Sequence, residues 1–318
     1  MSLAPSSLIS VLKRQKYHIV GRHSAVKRCR WLYEALINDR PCYKQKFYGI
    51  KSHRCIQMTP VLYHCTQRCL FCWRAQSGDL QIFWDETKLP QWDSPEEIVE
   101  GCINAQLQIL SGYKGNPKAN PQKFKEALIP RHVAISLTGE PTLYEPIGDL
   151  IGAFHKRGFT TFLVSNGTVP SALAKLSHEP TQLYISLCAP NEEIYNKVCR
   201  PLQPDSWRKL NETLELLNSF KCPTVIRITA VRNLNMEPIS DYAKIIEKAN
   251  PTYIEPKAYM HVGFSRLRLG YENMPSHREI REFALQLAKE LSYNFVDESE
   301  DSRVVLLSRL KSPIKFSK

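Results

Sequence analysis

Six of the ten cysteines in this 318-residue chain fall before residue 73. Three of them form Cys65-Thr-Gln-Arg-Cys69-Leu-Phe-Cys72, a C-x3-C-x2-C loop that follows an apolar run, residues 59–65, readable as a strand. Three thiolates in one short loop can each take one iron of a cubane 4Fe–4S cluster, leaving the fourth iron open to a small chelator. Zinc is the rival, with Cys69 and Cys72 as a pair and His64 completing a Cys3His set. The usual distal C-x-x-C or H-x3-H partner is missing, and ordinary ferredoxin spacing does not fit.

Cys29, Cys42 and Cys55 repeat at C-x12-C-x12-C, a spacing with no helical or strand meaning. Core packing does not explain it, so it reads as a second metal site, a further 4Fe–4S cluster with an open iron or a zinc site. Clustered thiols in a reducing compartment point to metal chemistry rather than disulfides. Cys102, Cys188 and Cys222 read as small buried residues; Cys199, in Val-Cys-Arg-Pro, fits either role.

The elements that must position these residues alternate. Strand-like runs at 132–137, 160–164, 183–187, 225–231 and 253–259 are separated by helical patterns near 95–110, 146–157, 170–177, 191–198, 206–219 and 238–249. With the run at 59–65 this makes six strand–helix units, which predicts α/β architecture, an incomplete (β/α)6 TIM-like barrel. The division expected is a basic N-terminal extension (1–58), a partial barrel (59–260) and a C-terminal extension (261–318). The last holds a helix (276–291) and two short strands. In such barrels chemistry sits at the strand carboxyl ends. Thr138-Gly139-Glu140-Pro141, Ser165-Asn166-Gly167 and Ser186 all fall there.

The formal charge of +12 is segregated. Residues 1–55 carry 12 Lys/Arg against 2 Asp/Glu, and 303–318 carry 5 against none, so the body between is near neutral. Segregated charge predicts a polyanionic partner, a solvated tail being the bland reading. The lysine-bearing loop 112–125 reads as a lid, an RNA-facing loop or plain surface. No run of eighteen apolar residues and no signal-peptide pattern occur, so a cytoplasmic chain without membrane contact is expected.

C-x3-C-x2-C after a first strand, with Thr138-Gly139-Glu140-Pro141 after the next, resembles the radical S-adenosylmethionine (SAM) superfamily. The paired cysteine sets resemble one branch of it, the 4-demethylwyosine synthases of tRNA wybutosine biosynthesis. So do Lys44-Gln-Lys-Phe-Tyr-Gly-Ile, Ser52-His-Arg-Cys55-Ile-Gln-Met-Thr-Pro60, Cys72-Trp-Arg and Lys257-Ala-Tyr-Met-His-Val-Gly-Phe-Ser265-Arg. The match runs over about residues 20–300 and is closest in form to single-domain archaeal members.

The resemblance implies two 4Fe–4S clusters and SAM. It implies SAM contacts from Thr138, Gly139, Glu140 (as acceptor from the methionyl ammonium), Ser165, Asn166 and Ser186. Its substrates would be N1-methylguanosine beside the anticodon of tRNA-Phe and pyruvate, in a carbon–carbon lyase reaction fed by an external low-potential electron donor. A 5′-deoxyadenosyl radical would take hydrogen from the N1-methyl group. The carbon radical would add to pyruvate, and decarboxylation with imine formation would close a third ring. Lys44, then Lys46, are the candidates for a Schiff base with pyruvate. Arg22, Lys27, Arg28, Arg30, Arg40, Lys51, Arg266 and Arg268 are phosphate candidates. Five such contacts give a salt slope of roughly −3.5 on single-stranded RNA. Trp31, Tyr43, Tyr48, Trp73 and Phe264 could stack on the extruded base, and a monomer is expected. Two alternatives remain, a radical SAM RNA methylthiotransferase and a non-catalytic iron–sulfur or zinc RNA-binding protein. The first needs a C-terminal RNA-binding barrel for which 292–318 is too short. The second has no use for Gly139-Glu140-Pro141 at a strand end.

Overall fold

The computed structural model describes residues 5–316; residues 1–4 and 317–318, with Lys318 of the basic C-terminal run, lie outside the described residues. Helix α1 (Ser6–Arg14), strands β1 (Tyr17–Val20) and β2 (Ser24–Lys27), and helices α2 (Arg30–Ile37) and α3 (Tyr43–Tyr48) make up the N-terminal segment. Then come β3 (Cys55–Thr59), α4 (Pro95–Ser111), α5 (Pro121–Ala127), β4 (His132–Ile135), α6 (Ile147–Lys156), β5 (Thr160–Ser165), α7 (Pro170–Ala174) and β6 (Gln182–Ser186). After these follow α8 (Glu192–Cys199), α9 (Ser206–Leu216), β7 (Thr224–Ala230), α10 (Ile239–Ala249), β8 (Tyr253–Ala258), α11 (His277–Leu291), β9 (Asn294–Ser299) and β10 (Val304–Ser308).

All ten strands join one sheet in the order β1-β2-β3-β4-β5-β6-β7-β8-β10-β9. The six strands β3 to β8 are parallel and in chain order, which is the incomplete (β/α)6 barrel. Antiparallel β1–β2 extends one edge and antiparallel β10–β9 the other, so the barrel stays open.

Period-two alternation sorts the side chains. Ile56, Met58, Val133, Ile135, Leu163, Ile185, Ile226 and Ile254 face the helices and form the main core. Phe162, Tyr184, Val225 and Tyr253 face inward, where Phe47, Tyr48 and Ile50 of the α3 region pack against them as a floor. Helix starts are chemically marked. Ser94 and Glu97 form a reciprocal capping box ahead of Pro95, and Ser276 with Glu279 does the same for α11.

The first barrel strand lies earlier in the chain than its apolar pattern predicts. It ends at Thr59, and the buried run Val61-Leu62-Tyr63 is irregular. Pro60 has no N–H for a ladder, and Leu62 N donates instead to His23 O (2.7 Å). Cys55 consequently opens the first barrel strand. The 112–125 loop contains the start of α5, capped by Asn120 (3.0 Å to Lys123 N). No helix among the described residues is long and apolar enough to cross a membrane.

Candidate active site: two cysteine-lined cavities

The first cysteine loop leaves β3 and crosses the carboxyl ends of the neighbouring strands. Cys65, Cys69 and Cys72 line one cavity of about 200 Å³ together with Glu140, Asn166 and Ser186. The loop is braced from beneath. Glu86, 2% exposed, accepts from Arg74 Nη1 and Arg68 Nε, each at 2.5 Å, and its carbonyl accepts from Cys65 N (2.7 Å). Arg74 Nη2 also ties back to Gln67 O (2.8 Å). Burial pushes the Cys65 thiol up to about 12, so metal loading there displaces a proton.

Gly139 lies at φ +75°, and a Cβ there would overlap the carbonyl oxygens of Val61 and His64. Only glycine lets the β4 turn close on the cysteine loop. Thr138 Oγ1 donates to Leu62 O (3.1 Å), closing the same contact.

Glu140 is held by partners on both turns. Its Oε1 accepts from Ser165 Oγ (2.7 Å), Thr142 Oγ1 (2.7 Å) and Thr142 N (3.1 Å), and its Oε2 from Asn166 N (2.6 Å). A carboxylate buried to 1% needs these donors, and burial still raises its pKa. It clamps the β4 and β5 turns together, and its Oε2 accepts a single hydrogen bond, which leaves acceptor capacity at the cavity it lines. Ser165 Oγ is likewise occupied, accepting from Gly167 N (3.0 Å). Asn166 Nδ2 reaches Thr66 Oγ1 (2.8 Å) and lies 3.8 Å from Cys65 Sγ. Ser186 faces cavity space.

Cys29, Cys42 and Cys55, all half-buried, line a second cavity of about 420 Å³ inside the barrel. Cys29 and Cys42 are the residues ahead of α2 and α3, and Cys55 opens β3. The two cavities share walls: Phe71, Cys72, Trp73, Ser136, Val164, Ser186 and Thr229 line both.

Lys44 Nζ enters this chamber, buried and without a hydrogen-bond partner, 3.9 Å from the Tyr184 ring centroid and 4.1 Å from that of Phe162. Burial holds its pKa down to about 8. Lys46 is outside, paired with Asp297 at 2.8 Å, so the second lysine candidate is removed. The patterns did not single out Arg227 and Lys257 as site residues, yet both line the chamber. A charged residue within an otherwise buried parallel strand was the available signal.

Several RNA candidates are engaged by the protein. Arg22 holds Asp93 (2.7 Å), Arg40 holds Asp301 (2.8 Å) and Lys51 holds Glu126 (2.9 Å). Arg30 lies 3.6 Å from Glu34 on an exposed face. Arg268 is turned inward, bound to Asp79 (2.9 Å) and the carbonyls of Cys72 (2.5 Å) and Leu70 (3.3 Å), which makes it a brace for the cysteine loop. Lys27, over the rings of Tyr17 and Trp73, Arg28, over Tyr33, and Arg266 have no acidic partner among the described residues. Tyr48 is fully buried in the floor and removed as a stacking platform, whereas Trp31 and Trp73 face the chamber.

Among the described residues no three His, Cys, Asp or Glu side chains gather tightly enough to hold one metal ion. Ligands of a single zinc all sit within about 2.3 Å of it, whereas each thiolate of an open cubane serves its own iron. His64 does not line the first cavity. Each all-thiol donor set surrounds a cavity, as the one-thiolate-per-iron ligation of an open cubane requires.

An open parallel barrel with this cysteine loop over its strand ends defines a radical SAM protein, and residues 59–246 match the radical SAM superfamily. Residues 248–309 match the family described as wyosine base formation. The chain belongs to the S-adenosyl-L-methionine-dependent tRNA 4-demethylwyosine synthases. It is 54% identical to that synthase of Pyrococcus abyssi over 96% of this chain and 89% of the relative. It is 44% identical to that of Methanocaldococcus jannaschii over 96% of both. A solved structure of TYW1 with a lysine-pyruvate adduct bound superposes with a TM-score of 0.88 at 42% identity, covering 98% of this chain and 99% of that one. Family membership brings SAM and a 4Fe–4S cluster.

Proposed function

We propose that this chain converts N1-methylguanosine in tRNA-Phe to 4-demethylwyosine with pyruvate as cosubstrate, as a carbon–carbon lyase. The reading is carried by one observation: two separate cysteine triads line two cavities that share a wall. Cys29, Cys42 and Cys55 are the ligands proposed for a second 4Fe–4S cluster. When bound, the first cluster and SAM supply a 5′-deoxyadenosyl radical and the second supplies a Lewis-acidic iron.

The chain's own residues do the rest. Glu140, through Ser165 and Asn166, fixes the turns that shape the SAM cavity. Trp73, Val164 and Ser186 form the common wall, so a base entering the chamber sits beside both cavities. Lys44 Nζ forms an imine with the keto carbon of pyruvate, water leaving. Its burial among aromatic faces supports this role, as does the adduct described for the TYW1 relative. Trp31 and Trp73 are the candidates to hold the unstacked base, whose extrusion from a loop costs at most a few kcal/mol.

The proposal includes an external low-potential electron donor, a cytoplasmic monomer, and the functional division 1–58, 59–260 and 261–318. Anaerobic reconstitution tests the two-cluster core. About eight irons per chain are predicted, with about four remaining in the Cys29/Cys42/Cys55 triple alanine variant. An unchanged iron content in that variant would remove the second cluster.

A further inference from the structure

The chamber around Cys29, Cys42 and Cys55 is lined by three cations, Lys44, Arg227 and Lys257, and by no Asp or Glu. Arg227 and Lys257 project inward from adjacent strands β7 and β8. Among the described residues the acid in contact with them is Glu255, which is fully buried and does not line the chamber. It pairs with Arg227 Nη2 and accepts from Tyr48 (2.6 Å) and Tyr184 (3.2 Å). Tyr43 accepts from the same Nη2 (2.6 Å). These contacts fix the guanidinium plane, yet Arg227 Nε is buried with no partner. Lys44 Nζ is the other orphaned donor of the chamber, and both cations pack on the Tyr184 ring, at 3.9 Å for Nζ and 5.2 Å for the guanidinium carbon. Lys257 Nζ donates to Ser302 O, and its ammonium and the Arg227 guanidinium both stand 5.6 Å from the Tyr43 ring.

Two buried donors left unmet on one aromatic platform are costly unless a ligand completes them. The geometry points to Arg227 as the carboxylate anchor of a 2-oxo acid subsite, with Lys257 as the flanking cation and Lys44 at the keto carbon. This deepens the function proposed above and rests on its assignment of Lys44. An anion at Arg227 also offsets the excess of buried positive charge. A three-carbon acid places its keto carbon one bond from the anchored carboxylate, which suits two donors sharing one ring.

Cyanoborohydride trapping of the cluster-loaded protein, with SAM and tRNA omitted, tests this by mass spectrometry of the Lys44 peptide. The probes are pyruvate and pyruvamide, which keeps the ketone and loses the negative charge. In R227Q the pyruvate concentration for half-maximal trapping should rise about 10- to 100-fold, the range for a lost charged hydrogen bond, and by a much larger factor than that for pyruvamide. R227K keeps a cation beside Glu255 and loses Nε; it should shift pyruvate in the same direction, and it carries the test if R227Q does not fold. Equal effects on both probes, or no effect on pyruvate, would overturn the anchor while leaving Lys44 in place. Absence of any wild-type adduct would overturn the Lys44 assignment and the anchor with it.

Discussion

Lys44 and Lys46 show how much a single residue's environment decides. On a helix two positions apart means about 200° around the axis, so α3 sends Lys44 into the chamber and Lys46 to an ion pair with Asp297. Replacing Lys44 by Ala should abolish borohydride-trapped pyruvate, whereas Lys46→Ala should leave trapping within two-fold of wild type; equal losses would contradict the placement. That Cys29, Cys42 and Cys55 come together at one cavity was legible because a C-x12-C-x12-C spacing has no helical or strand meaning. The bonds of Glu140 to Ser165 and Asn166 were not legible, because they come from the next strand and its turn, and sequence alone does not pair them. Glu140→Gln places an amide against four donors and should cost about 1–3 kcal/mol of stability, measured by chemical denaturation, and should also weaken SAM binding.

At the level of elements, the loop after β8 matters through Arg268, which grips Asp79 and the carbonyl of Cys72. Arg268→Ala should lower iron retention at Cys65, Cys69 and Cys72 without changing the salt slope of tRNA binding; a reduced slope would return Arg268 to the phosphate contacts. The element pattern gave five barrel strands nearly in place, because period-two alternation survives in buried parallel strands. The first was displaced since Val61-Leu62-Tyr63 is buried by tertiary contact, not by strand pairing. The four-residue strands β1 and β2 lack enough residues to show a period. Helix α11 is tied to the loop after β7 by Glu279, which meets Arg232 and its own Ser276 cap. The Arg232 hydrogen bond holds the Glu279 carboxyl down to about 2 from its ordinary 4.5. Because the folded value is depressed, this support is complete above about pH 4.5 and is lost as pH falls toward 2. Glu279→Gln should therefore flatten the acid limb of a pH–stability curve in that window, and an unchanged limb would show that the pair contributes nothing.

Across the whole molecule, the sheet joins N-terminal, barrel and C-terminal segments, so the basic leader is part of the chamber wall. Charge segregation pointed to a polyanion, but composition does not tell which cations are already neutralised. Among the described residues Arg22, Arg40 and Lys51 hold acids, while Lys27, Arg28 and Arg266 do not. Replacing Lys27, Arg28 and Arg266 by Ala should lessen the salt slope of tRNA affinity by roughly 2, and replacing Arg22 and Arg40 should change it little; the reverse order would contradict this reading of the surface.

Two cavities that serve one reaction must pass pyruvate carbon to the base. The direct measurement is a turnover with N1-methylguanosine-containing tRNA, SAM, dithionite and pyruvate labelled separately at C1, C2 and C3, followed by mass analysis of the nucleoside. Label from C2 and C3, and none from C1, should appear in a tricyclic base, and the Lys44→Ala variant should give none. Cleavage of SAM to 5′-deoxyadenosine with no pyruvate carbon in the nucleoside would contradict a shared reaction of the two cavities.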